Sequence, residues 1–140
     1  MSKEIILKPI GFIESPFKTR EDLCIPPYDP KAPCHDPNVK GIVHIFEEFS
    51  DGLLGITPGS SAMLMFFFHR SKGYNLISKS PRFKEPTGVF STRSPRRPNG
   101  IGISVVTFTA VEGCQLTFHG VDMLDGSPLL DIKPYTRNAK

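Results

Sequence analysis

Long apolar runs, paired cysteines, helical periodicity and a large net charge are all scarce in this chain of 140 residues. Its most apolar stretch, residues 62–68, falls far short of the ~20 residues that a spanning helix needs. No cationic leader with a signal-like apolar core opens the chain either, so a soluble, cytoplasmic protein with no membrane partner is expected. Three cysteines, Cys24, Cys34 and Cys114, cannot all pair, and no Cys-x-x-Cys spacing occurs. That argues against a disulfide framework and against a zinc ribbon, and for a reducing compartment. Cys34–His35 is the one thiol–imidazole neighbour pair, but two further ligands at fitting spacing are missing. No metal is expected, and the thiols read as buried or idle. A formal charge of +3 does not by itself demand a nucleic-acid partner, although an uneven distribution could still steer one.

What is present is β-forming sequence. One domain covering residues 1–140 is expected, because the length falls within the usual ~100 to 200 residues for a single core. Strand-like segments recur at 5–13, 41–46, 62–69, 88–91, 103–111, 116–121 and 129–132, mostly short and bounded by turn residues. The run 63–68 suits a strand buried on both faces. Along 105–111 both alternating sets are largely apolar, as where a strand packs on two sides or closes a barrel. Helical signal is confined to 46–54, where Gly55 and Pro58 would stop two turns. Residues 24–38 carry five prolines and read as a stiff, irregular excursion.

The most informative segment is 86–102, which packs Arg93, Arg96 and Arg97 between prolines and glycines. Proline fixes φ, glycine allows positive φ, and arginine offers a planar fork of donors for carboxylate or phosphate. Such a loop can hold an anion in a defined pose. It can also be an ordinary surface turn, since Pro, Gly, Ser and Asn are common turn formers. Clustering favours a site: Lys79, Arg82, Lys84, Arg93, Arg96 and Arg97 face a single acid, Glu85. A second segment, 121–135, joins an Asp125–Gly126 hairpin signal to Asp131 and Lys133 on one face of an extended strand. On spacing alone it is equally a structural hairpin with an ion pair.

These two segments, Gly-Val-Phe-Ser-Thr-Arg-Ser-Pro-Arg-Arg-Pro-Asn-Gly-Ile-Gly and Asp-Gly-Ser-Pro-Leu-Leu-Asp-Ile-Lys-Pro-Tyr, resemble the TsaA-like, or TrmO, family of S-adenosylmethionine-dependent tRNA methyltransferases. Similarity at 10–17 and 66–70 extends the match in order over nearly the whole chain. The resemblance implies a mainly β fold, a small single-domain β-barrel without a Rossmann domain. It also implies a homodimer with the cofactor, S-adenosylmethionine, in a cleft near the subunit contact. The implied reaction is methylation of N6 of threonylcarbamoyladenosine next to the anticodon, with the tRNA anticodon stem-loop as partner.

Residue by residue, the family's cofactor contacts correspond to Pro27, Tyr28, His69, Arg70, Arg93, Ile103, Met123, Leu124, Asp125 and Gly126. The sequence departs from the family pattern at Pro26-Pro27-Tyr28, where proline-arginine-glutamine is usual, and at Asn99-Gly100, where Asn-Pro is usual. The donor needs a cation for its carboxylate, acceptors for its amine and apolar walls for its adenine. Arg93 or Arg70, backbone groups near Asp125–Gly126, and Ile103, Met123 and Leu124 offer these. The acceptor nitrogen is poorly nucleophilic, so proton removal or charge stabilisation is needed, with Asp131, Lys133 and Tyr135 as candidates. Lys79, Arg82, Lys84, Arg96 and Arg97 would face RNA phosphates, while Phe90 is expected mainly to pack in the core and Tyr135 could stack on a base. A non-enzymatic RNA-binding barrel and a methyltransferase with another acceptor remain open alternatives.

Overall fold

The computed structural model describes residues 3–23, 31–79 and 83–136. Six strands close into a barrel in the order β1 (Gly11–Glu14), β2 (Lys40–Ile45), β7 (Gln115–His119), β6 (Ile101–Glu112), β3 (Ser61–Phe67), β8 (Ser127–Pro134) and back to β1, every contact antiparallel. A separate two-stranded sheet pairs β4 (Ile77–Ser78) with β5 (Thr87–Gly88). The expected mainly β barrel is therefore what the chain forms.

Alternation explains the closure. Inward positions of β3 (Ala62, Leu64, Phe66) and β6 (Val106, Phe108) are buried with Ile13, Val43, Leu116, Phe118 and Leu129 from the other strands. Gly102 belongs to the same inward set for a steric reason. A Cβ there would lie 2.5 Å from Phe66 Cζ and 2.7 Å from Phe68 Cζ, closer than two carbons can approach, so only glycine lets these edge-to-face rings fill the barrel end.

Several expectations are corrected. Residues 5–9 form no strand, and Ile5, Ile6 and Leu7 are exposed. In 88–91 only Gly88 is in a strand; Val89–Ser91 is a 3₁₀ turn that buries Val89 and turns Phe90 out, 78% exposed, so Phe90 does not pack in the core. The 46–54 segment is helical but 3₁₀ (Glu47–Leu53), too short in i, i+4 pairs to sustain an α-helix. Asp125–Gly126 turns the chain with Gly126 at φ 79°, yet it joins no hairpin, because β7 and β8 are not neighbours in the barrel. Cys34 is disulfide-bonded rather than idle, and Cys114 is free. No helix among the described residues is long and apolar enough to cross a membrane.

Candidate functional site

Antiparallel closure sends the ends of β1, β3 and β7 and the starts of β2, β6 and β8 to one mouth of the barrel. His69 and Arg70 follow β3, Ile103 lies near the start of β6, and Met123–Gly126 precede β8, so most of the cofactor candidates gather there. Arg93 joins them by donating from Nη2 to the Ile103 carbonyl at 3.0 Å, which ties the arginine loop to the barrel wall.

The turn before β8 is tightly wired. Asp125 Oδ1 accepts from the Ser15 amide at 2.9 Å and Oδ2 from Lys18 Nζ at 2.9 Å, while its own amide donates to the Phe17 carbonyl. Burial alone would raise its pKa; the Lys18 and Ser15 donors outweigh that and hold it below the usual value. Gly126 donates to the Ile13 carbonyl, and Met123 is buried in the core.

His69 is the one described side chain with a buried polar atom left without a partner: its Nδ1. Burial, reinforced by the Arg70 charge, pushes its pKa down, so the ring is neutral near pH 7. A neutral imidazole with a shielded, unsatisfied nitrogen beside an arginine and backbone donors fits a polar organic ligand such as the donor these residues would hold.

The other candidates lie elsewhere. Asp131 and Lys133 pair with each other at 3.6 Å on the outer face of β8, Asp131 Oδ1 also accepts from the Ile132 amide, and Tyr135 donates its amide to Ser61 at the opposite end of the barrel. Eight residues of strand, roughly 26 Å, separate Tyr135 from the start of β8, whereas Asp131 lies mid-strand, level with Ile103 through their shared partner Met65, so one chain does not bring Tyr135 to the mouth. Lys79, Lys84 and Arg96 are exposed beside the loop. Arg97 instead donates from Nη1 to the Thr92 and Ser94 carbonyls at 3.0 and 3.1 Å, stapling the loop. Pro27, Tyr28 and Arg82 lie outside the described residues.

Asp122 is a mouth residue that sequence reasoning passes over. Its carboxylate Oδ1 accepts from the buried Ser104 hydroxyl at 2.6 Å. It keeps solvent access yet is crowded by protein, and that desolvation pushes its pKa up against the opposing pull of Ser104, Arg93 and His35. The available signal was its position directly before Met123 together with a serine, Ser104, at an inward-facing place in an otherwise apolar strand.

Comparison with known proteins gives one consistent picture. The model of the tRNA-methyltransferase O N-terminal domain matches residues 12–140. A probable S-adenosyl-L-methionine-binding protein of Pyrococcus abyssi is 45% identical over 94% of this chain and 68% of its own length. The tRNA (adenine(37)-N6)-methyltransferase of Mus musculus is 38% identical over 94% of this chain but only 31% of its own. The crystal structure of TrmO from Pseudomonas aeruginosa superposes with a TM-score of 0.71 at 33% identity, covering 99% of this chain and 62% of that one. This chain thus spans less than two thirds of the solved protein and less than a third of the mouse enzyme.

Proposed function

The chain belongs to the tRNA-methyltransferase O family, and from that membership we propose that it is an S-adenosylmethionine-dependent tRNA methyltransferase acting on adenine N6. The observation that carries this reading is the convergence at one barrel mouth of Arg93, His69 and the 122–126 turn, with His69 Nδ1 shielded and unpartnered. When bound, the donor supplies an electrophilic methyl group. The protein's own residues then do the rest.

Arg93 and Asp122 place opposite charges side by side, matching a zwitterionic amino-acid end: the guanidinium takes its carboxylate and the Asp122 carboxylate, oriented by Ser104, takes its ammonium. Leu124 and Ile103 offer apolar surface for the adenine, and His69 Nδ1 or the Gly126 region fixes a polar edge. Keeping His69 neutral avoids adding positive charge beside a sulfonium. Holding nucleophile and methyl carbon in line contributes most of the rate, since orientation alone is worth roughly 7–11 kcal/mol.

The finer reading is that the acceptor is threonylcarbamoyladenosine next to the anticodon, that the enzyme works in the cytoplasm, and that it is a homodimer. An outer stripe supports association: Phe67, Ile101, Ile103 and Val105 are 40–53% exposed, with Met63 and Met65 in register between them. A two-fold axis lying in this face and perpendicular to the strands would carry the Lys133–Tyr135 end of a second copy toward the mouth of the first. That would add a lysine and a tyrosine to the Asp131 that each chain already holds level with Ile103.

Titration calorimetry with S-adenosylmethionine tests the cofactor, and Arg93→Ala should weaken binding about 100-fold, the scale of a lost charge-assisted contact of ~3 kcal/mol. Mass spectrometry of tRNA nucleosides after incubation tests the acceptor. A wild-type protein that binds RNA but gives no heat with the donor would instead be a bare RNA-binding barrel, and a monomer by light scattering would remove the shared-site reading.

A further inference from the structure

Beside the arginine loop lies a recess of about 440 Å³, lined by none of the residues assigned above to the methyl donor. One wall is β4 with its flanks, which contribute Asn75, Ile77, Ser78 and Lys79, and the other is the turn that carries Ser94 and Arg96. Buried Val89 forms the floor, held where its amide donates to the Leu76 carbonyl at 2.8 Å.

The order of side chains is chemical as well as geometric. A carboxamide, which can donate and accept on a base edge, is followed by an aliphatic surface that can lie against a flat ring and then by a cation. Arg96 supplies a second cation from across the recess. Among the described residues neither Lys79 nor Arg96 is in an ion pair, so both are available to an external anion. The Arg96 wall is also fixed in advance. Its amide donates to Ser94 Oγ at 3.2 Å, Ser94 donates to Thr92 Oγ1, and the Arg97 staple closes the same turn. A volume at the lower end of the ~300–1,000 Å³ typical of ligand sites has room for one nucleotide and excludes a duplex.

We propose that this recess is a single-nucleotide pocket that holds a neighbour of the methyl acceptor in the RNA strand, with Lys79 and Arg96 on phosphate, Ile77 and Val89 against the base, and Asn75 reading its edge. The inference rests on the tRNA-methyltransferase reading and extends it from a charged surface to a specificity pocket. Because Arg93 and Arg96 belong to one short loop, with Arg93 on the Ile103 carbonyl and Arg96 lining the recess, donor and RNA strand are held by a common segment, which sets the distance between them.

The test measures binding of fluorescein-labelled synthetic anticodon stem-loop RNA, and of single-stranded hexanucleotides differing at one base, to the full chain and its variants. Ile77→Asp should weaken stem-loop binding roughly tenfold, the scale of one lost stacked base. Asn75→Ala should abolish preference among the hexanucleotides, and Arg96→Gln should lower affinity while reducing the salt slope by about one. All three should keep donor affinity by calorimetry within about twofold of wild type.

The pocket is refuted if Ile77→Asp and Asn75→Ala leave RNA binding unchanged while Arg96→Gln weakens it, since the recess would then be a charged patch only. It is also refuted if free nucleoside monophosphates occupy it and RNA does not displace them. Circular dichroism separates loss of fold from loss of the pocket, and Ile77→Ala, which keeps an apolar wall, should retain most affinity. Failure of the wild type to bind the donor, with RNA binding and base preference intact, would sink the methyltransferase reading and leave the pocket standing.

Discussion

The two flanks of the arginine loop are built in opposite ways. Toward the barrel, Arg93 is bonded to a strand carbonyl and sits beside Asp122, His69 and a turn wired by Ser15, Lys18 and Asp125. Elsewhere on the loop, Arg96 joins Lys79 in lining a recess bordered by β4, a strand only two residues long. The first flank inherits the rigidity of a closed six-stranded ring. The second is set by local turns. A small donor of fixed shape demands the former, whereas a nucleic-acid strand that must be admitted and released tolerates the latter.

Substitutions on each flank should separate these roles. The largest effect after Arg93→Ala is expected for Asp122→Asn, which should cost about tenfold in donor affinity by calorimetry, as one charge-assisted contact is lost. The same variant should change the pH profile of stability. With its folded pKa raised, Asp122 binds a proton more tightly folded than unfolded, so wild-type stability falls as pH rises from the ordinary carboxylate value through the raised one. Asp122→Asn should flatten that slope in denaturant titrations. An unchanged slope would show that folding does not desolvate this group.

Arg97→Ala comes next and blurs the comparison on purpose. Because its guanidinium holds the loop carbonyls, its loss should weaken donor and RNA binding alike, by roughly three- to fivefold each. A loss confined to RNA would mean that Arg97 meets phosphate directly. His69→Gln should then remove an acid sensitivity. His69 is depressed from 6.5, so the unfolded chain takes up its proton first, and stability present above that value is lost as pH falls through the window below it. Wild type should lose more stability than the variant between about pH 8 and pH 5. Smallest of all, Lys133→Met should shift stability by less than about 1 kcal/mol, as befits a solvent-exposed pair, measured by thermal unfolding.

Strand alternation made most of the ring legible in the sequence. The segments at 41–46, 62–69, 103–111, 116–121 and 129–132 each contain or overlap a barrel strand, because inward side chains there repeat every second residue. Residues 5–9 are apolar enough to mimic a strand, but apolar content without a pairing partner does not make one. Phe90 reads as core for the same reason, and a 3₁₀ turn that buries its neighbour Val89 sends it outward. Asp122 and Ser104 stayed hidden because their meaning arises only when the connection before β8 meets β6, 18 positions away. The Asn75–Lys79 wall was equally illegible, since Ser94 and Arg96, which line the same recess, come from a separate turn later in the chain.

Ring closure has one further consequence. Every strand of the barrel already has two hydrogen-bonded neighbours, so no row of bare amides and carbonyls is left there to template addition of another chain. Self-association must therefore proceed through side chains on a curved flank rather than by zippering of backbones. Solubility should accordingly be governed by the Phe67, Ile101 and Val105 surface, and polar replacements on it should disperse the protein without disturbing the ring.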